Sequence, residues 1–367
     1  ADSLILTATH THTAPQVHLN RAASSVEYHA FVVEKTVEAV KEALANMEEG
    51  TLSSGITSDA RFCFNRRYWM KDGTVVTNPG KLNPDIRTSE GDIDPEIPML
   101  AISRNGQIKV LLLNIVNHTD TIGGNNVSAD WAGFTVRALQ EKLGAGSLVM
   151  PLIGCAGNIN HFDVSTDMVQ THYPEAERVG KGYAETVSRS LTSLKPCAAQ
   201  LKTFGKTIRI APRQLTEEEV NEAQAIIDKY PEIEVVGVSG ADLTSEDLAR
   251  KTPFALKYFA YNLLLIREIK TPHTVTLTGI SFGDVVIASL PGEPFVEIGL
   301  ALRKDILNGK LAFVVSHSNG GFSSYIPYDV SKKQFDVSFM QNFVPVNLSQ
   351  FPETLLESEL FGHSRGA

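Results

Sequence analysis

The chain has 367 residues, 33 basic and 42 acidic, for a formal charge of −9; 43% of it is hydrophobic and 20% charged, the balance of an ordinary folded protein with a sizeable core. No Lys/Arg run offsets the acidity, which argues against nucleic-acid binding, where basic side chains displace counterions. The longest apolar runs, such as VLLLNIV, fall far short of the roughly 18 residues that read as a membrane-crossing helix, so a soluble protein with no membrane span is expected. Cys63, Cys155 and Cys197 are an odd set without CxxC spacing, which fits neither a disulfide framework nor a thiolate zinc site. They lean toward a reducing, cytoplasmic setting without fixing it. The first residues carry no visible signal peptide, although a removed one stays open.

Along the chain, apolar β-branched runs alternate with amphipathic stretches, the pattern of an α/β protein: a mixed β-sheet flanked by helices. Residues 4–10 read as a strand, 25–48 as a long amphipathic helix, and 50–61 as a further strand. Residues 71–95 are rich in turn formers and read as a loop. Asn105-Gly106 between two apolar runs marks a hairpin with a type I′ turn. A helix at 129–143, the strand of SLVMPLIG and a helix over 172–194 follow, then a strand at 200–210. Residues 214–270 interrupt the strand rhythm as a helical insertion, its first helix opened by a Thr216/Glu219 capping box. A second hairpin turns at Gly283-Asp284, with a helix at 294–308 and the strand LAFVVSH after it.

Ligand-capable residues repeatedly stand directly after a buried strand. These are His10 and His12, His118, the run from Cys155 to His161, Glu293, and finally His317 with the segment ending at Tyr325. Ligands of α/β sheets bind at strand ends, where loops converge, so five such endings point to one shared site. His10 and His12 face the same side of an extended segment, which suits one metal ligand beside one proton-transfer group. Imidazoles with a carboxylate make a normal catalytic zinc shell with an open position for water. Taken singly, the same residues also read otherwise: HxH as surface or core histidines, Glu293 as a turn carboxylate, Tyr325 as a loop aromatic and Arg66 as a surface ion pair.

Taken together, HTHTAP at 10–15, FNRR at 64–67, NHTDTIGGNNVSADWAG at 117–133, GCAGNIN at 154–160, LPGEPFVEIGLALR at 290–303 and NGGFSSYIP at 319–327 resemble, in order, the motifs of the catalytic domain of neutral, non-lysosomal ceramidases. The resemblance implies a single zinc held by His10, His118, Glu293 and Tyr325, proton transfer by His12, and substrate contact by Arg66. Beside the metal, Tyr325 could also donate to an oxyanion. Three departures stand out. Asn160 occupies the place of the serine in the family's GDVSPN, leaving metal-activated water to attack, while the amide can still orient a carbonyl or steady an oxyanion. Phe335 stands where a second substrate-facing tyrosine is expected, and His161 is an additional ionisable group, either in the site or in a solvated loop.

The expectation is therefore a zinc-dependent hydrolase of an amide or related acyl bond, with a small-molecule substrate other than ceramide. The alternatives are a non-catalytic metal- or ligand-binding relative, or one chain of a two-chain enzyme. The whole of 1–367 reads as one ceramidase-like catalytic domain, without the family's preceding strands and without its following immunoglobulin-like domain. A partner polypeptide supplying those strands, or a homo-oligomer, is a corresponding expectation.

Overall fold

In the computed structural model, residues 4–15, 23–124, 126–144, 146–210, 214–238, 250–319 and 325–327, with positions 243 and 247, are described. The expected first strand does not form a ladder. Its one bridge pairs Thr7 with Ser318, and Leu6 N–H donates to the side chain of Asn319 at 2.9 Å, so the segment is pinned to a turn instead of a neighbouring strand. Helix α1 (Ala23–Ala45) and strand β1 (Thr51–Ser58) come next, then the short strands β2 (Phe64–Asn65) and β3 (Arg67–Met70). The stretch read as a loop contains two more, β4 (Val75–Thr77) and β5 (Ile86–Ser89), which flank β3 in a three-stranded ribbon. Val75 and Val76 pair there with Trp69 and Tyr68. The turn formers close the ribbon's turns without preventing its ladder.

The hairpin β6 (Glu96–Arg104) and β7 (Gln107–Ile115) turns where expected, with Asn105 and Gly106 at φ 51 and 73. Then follow α2 (Asp130–Leu143), β8 (Leu148–Ile153), β9 (Ile159–Asn160), α3 (His172–Ser190), β10 (Lys195–Pro196) and β11 (Leu201–Ile210). The insertion contains α4 (Glu217–Lys229), with its capping box formed, and α5 (Pro253–Glu268). These two helices pack on each other through Ala223, Ala260, Leu263 and Ile266. The last elements are β12 (His273–Phe282), β13 (Val285–Ser289), β14 (Glu293–Pro294), α6 (Val296–Ala301), β15 (Leu311–Val315) and β16 (Tyr325–Ile326).

The fold is α/β, with its strands divided among several sheets. One has the order β10-β1-β6-β7-β8 and another β11-β12-β13-β15. Each contains one parallel pair, β7 with β8 and β13 with β15. Helices α2 and α3 cover one face of the first sheet, with Trp131, Tyr183 and Phe62 in that core. Toward the second sheet, Leu100 and Leu152 meet Val285, Ile287, Phe313 and Val315.

Asn114 joins the two sheets. Its amide donates to Leu152 O at 3.0 Å and accepts from Val314 N–H at 3.0 Å and Arg303 at 3.1 Å. Ser316 N–H donates to Ile153 O and Leu290 N–H to Val315 O. The carboxyl ends of β7, β8, β13 and β15 are thereby brought to one crevice, as expected of ligand-binding strand ends.

Candidate metal centre

His118 follows β7 and is fully buried. Its Nδ1 lies 2.9 Å from the carbonyl oxygen of Ala156, so that nitrogen must carry the proton, leaving Nε2 as a bare lone pair. Trp131 Nε1–H donates to the His118 carbonyl at 2.7 Å, holding the backbone as well. His118 Nε2 is 3.0 Å from His10 Nε2, and His10 Nε2 is 3.3 Å from His12 Nε2. The segment bearing His10 and His12 is fixed across the crevice. Thr119 Oγ1 donates to Thr9 O at 2.6 Å, and His12 N–H to Thr119 O at 3.2 Å.

Glu293 completes the cluster, with Oε2 3.4 Å from His10 Nε2 and 3.5 Å from His118 Nε2. That oxygen is buried, and no described residue gives it a well-directed hydrogen bond. Lone pairs facing one another in a buried site repel unless a proton or cation lies among them. The donor atoms therefore fit a metal ion, either as two imidazoles with a carboxylate or as the three imidazoles of His10, His12 and His118, whose ligand atoms lie within 4.8 Å of one another. Burial, then Arg66 and His10, hold the His118 pKa well below the ordinary histidine value. Burial pushes the Glu293 carboxyl up, but His10 and His118 outweigh it and keep the group ionised.

Tyr325 lies directly opposite Glu293 in the parallel β14–β16 pair. Its oxygen accepts from Arg66 Nη2 at 3.1 Å, and Arg66 also donates to Gly157 O at 2.6 Å. Burial raises the phenol pKa, with the Glu293 charge adding to it, so Tyr325 is held protonated. Arg66, itself buried, aims Nη1 at Asp120 Oδ2, 4.0 Å away. Asp120 in turn stands 3.3 Å from His161 Nδ1, while His161 Nε2 faces Gln170 O at 2.8 Å. His161 is thus a buried residue beside Asp120 and not a solvated loop histidine. Burial disfavours its charge, but Asp120 prevails and raises its pKa.

His10, His12, His118, Glu293, Tyr325 and Arg66 are therefore in one cluster, with His161 joined to it through Asp120. Asn160 is buried, but its amide is engaged elsewhere: Nδ2 donates to Asn78 Oδ1 at 3.2 Å, and Oδ1 accepts from Phe162 N–H at 3.1 Å. Phe335 lies outside the described residues. Two participants received no role from sequence reasoning. Asp120 lies two positions after His118 inside a quoted motif, and that spacing was the available signal. His317, noted only as a strand end, stacks on His10 with ring centroids 4.1 Å apart. Burial and then His10 lower its pKa to about 3.

A family profile described as the sigma-54 interaction domain matches residues 330–367, all but one-tenth of the chain lying outside it. No curated protein matches. Among solved structures, neutral ceramidase from Pseudomonas aeruginosa superposes with a TM-score of 0.58 at 17% identity, over 91% of this chain and 57% of that one. A structure described as ceramidase complexed with C2 gives a TM-score of 0.60 at 15% identity, over 97% of this chain and 61% of that one. The chain thus spans about three-fifths of the length of these ceramidases. At this identity the likeness concerns architecture: the chain has a ceramidase-like fold.

Proposed function

We propose that this chain is a zinc-dependent hydrolase of the ceramidase-like type, cleaving an amide or related acyl bond of a small, water-soluble substrate. The observation that carries the reading is the convergence of His10, His118 and Glu293, with the His118 tautomer set by Ala156 O so that its Nε2 lone pair faces the other two. His10, His118 and Glu293 would hold the ion, with Tyr325 beside them. Zinc bound there supplies Lewis acidity toward a carbonyl and a water acidified toward neutrality.

His12 is the exposed imidazole of the cluster. Crowding by the protein lowers its pKa, with Asp120 opposing and His10 adding to the effect, so it is neutral near pH 7 and able to accept a proton at Nε2 and return it to a leaving amine. Arg66 donates to the Tyr325 oxygen and Glu293 lies against the same phenol, so Tyr325 is held protonated beside the ligands, where it would donate to negative charge developing on a bound carbonyl. Asp120 stands between Arg66 and His161. Asn160 supplies no nucleophile, and its amide is bonded to Asn78 and Phe162 instead of facing the metal ligands.

That same substitution favours a second reading, in which the centre binds metal or a small polar ligand without turnover. The two separate by experiment. Metal analysis of the purified protein, followed by a panel of N-acyl and lactone substrates, should give zinc and hydrolysis for the first reading. Zinc without turnover of any panel member selects the second.

A further inference from the structure

Helix α1 bears an apolar seam that no other element of the described structure covers. Val26, Ala30, Val33, Val37, Val40 and Leu44, continued by Met47 just past the end of the helix, succeed one another at spacings of four, three, four, three, four and three. This 3.5-residue period is that of a helix packing along another helix, not of one lying on a sheet. All seven positions are exposed, the six larger ones from 39% at Val40 to 74% at Met47. Nor is the helix self-supporting. Five of its 23 residues are valine, its first turn has no acidic residue and its last no basic one, so its stability must come from packing.

The charges beside the seam indicate what packs there. The positions immediately after Val26, Val33, Val40 and Met47 are Glu27, Glu34, Lys41 and Glu48. When two copies of α1 run antiparallel, Val37 lies against Val40 of the second copy and Val33 against Leu44. In that register Glu34 of each copy faces Lys41 of the other, twice by symmetry. Glu48 lies past the end of the helix, where it pairs with Arg104 Nη1 at 3.1 Å. A parallel pair would place His29 and Thr36 opposite Glu34 and Lys41 and form no Glu–Lys contact. We propose that α1 is a homodimerisation element, forming an antiparallel two-stranded coiled coil with α1 of a second copy of this chain. The proposal is independent of any metal or activity.

The test is sedimentation equilibrium of the full chain over roughly 1–100 µM, the range in which a micromolar dimer dissociates. The expected result is a reversible dimer. Val37→Glu combined with Val40→Glu places charge in the seam and should weaken it by about 100-fold or more. Because both residues are exposed in one copy, the thermal unfolding of the remainder should be unchanged. Glu34→Lys should weaken association about tenfold, and adding Lys41→Glu should restore it by re-forming both pairs with reversed sign. A monomer throughout this range, as expected if another protein or another segment of the chain covers the seam, overturns the proposal. So does a dimer indifferent to the Val37→Glu/Val40→Glu change, or a charge reversal that is not rescued.

Discussion

His10 and His317 lie face to face, ring centroids 4.1 Å apart and 15° from parallel, and both stand on left-handed backbone at φ 58 and 50. Ala8 N–H donates to His317 O at 3.3 Å and Asn319 N–H to Leu6 O at 2.8 Å, so pairing between the two segments imposes the stack. Such backbone costs about 1–3 kcal/mol per residue and persists where surrounding contacts over-determine it. Removing the His317 ring should therefore free His10 to rotate. His317→Ala should weaken zinc binding by about 10- to 100-fold without abolishing it, as read by competition with a chelating dye. An unchanged affinity would show that the stack plays no part in orienting His10.

Purified protein should contain about one equivalent of zinc, because three ligands from three segments distant in the chain form the shell only in the folded protein. His118→Ala should lower that content sharply, as measured by elemental analysis. Absence of any transition metal from carefully prepared native protein would falsify the metal reading.

His12 distinguishes the two possible shells. If it moves protons, His12→Ala should retain zinc while turnover falls by roughly 10²–10⁴. If metal is lost from this variant as readily as from His118→Ala, His12 is a ligand and the three-imidazole shell is the correct one.

Ceramide should be a poor substrate. Asn160 and Phe335 replace two hydroxyl-bearing residues of the pattern the sequence resembles, and substrate groups that relied on those hydroxyls would be buried unpaired. Comparing kcat/KM for ceramide and for soluble N-acyl compounds checks this, and comparable values would defeat it. Restoring Asn160→Ser without any gain would count against it more mildly.

Asn114 should matter for stability far more than its type suggests. Asn114→Leu keeps the volume but removes the partner that Leu152 O, Val314 N–H and Arg303 Nη2 now have in the amide, while Arg303 Nη1 keeps Asp94. A loss of about 3 kcal/mol is expected, visible as a lower midpoint in urea unfolding. A change below about 1 kcal/mol would mean that other contacts alone hold the sheets together.

Local signals in the sequence specified local structure. The Asn105-Gly106 turn, the Thr216/Glu219 capping box and the helix from Ala23 to Ala45 each depend on residues a few positions apart, so period and turn chemistry suffice to read them. The recurrence of ligand-capable residues after apolar strands likewise pointed to one crevice. Residues 4–10 failed as a strand because alternation and β-branching do not say whether a neighbouring ladder exists to receive them.

What only the tertiary structure decided is which of those strand ends meet, and at what distance. The His10–His118–Glu293 approach joins positions more than 100 residues apart, and it rests on Asn114 clamping two sheets and on residues 6–8 lying along 317–319. No local spacing encodes either contact. Asp120 escaped notice for the same reason: a carboxylate two residues beyond a histidine is unremarkable until folding sets Arg66 and His161 on either side of it. The sequence could likewise supply the apolar period of α1, but only the folded chain, with that face left uncovered, shows that the seam is available to a partner.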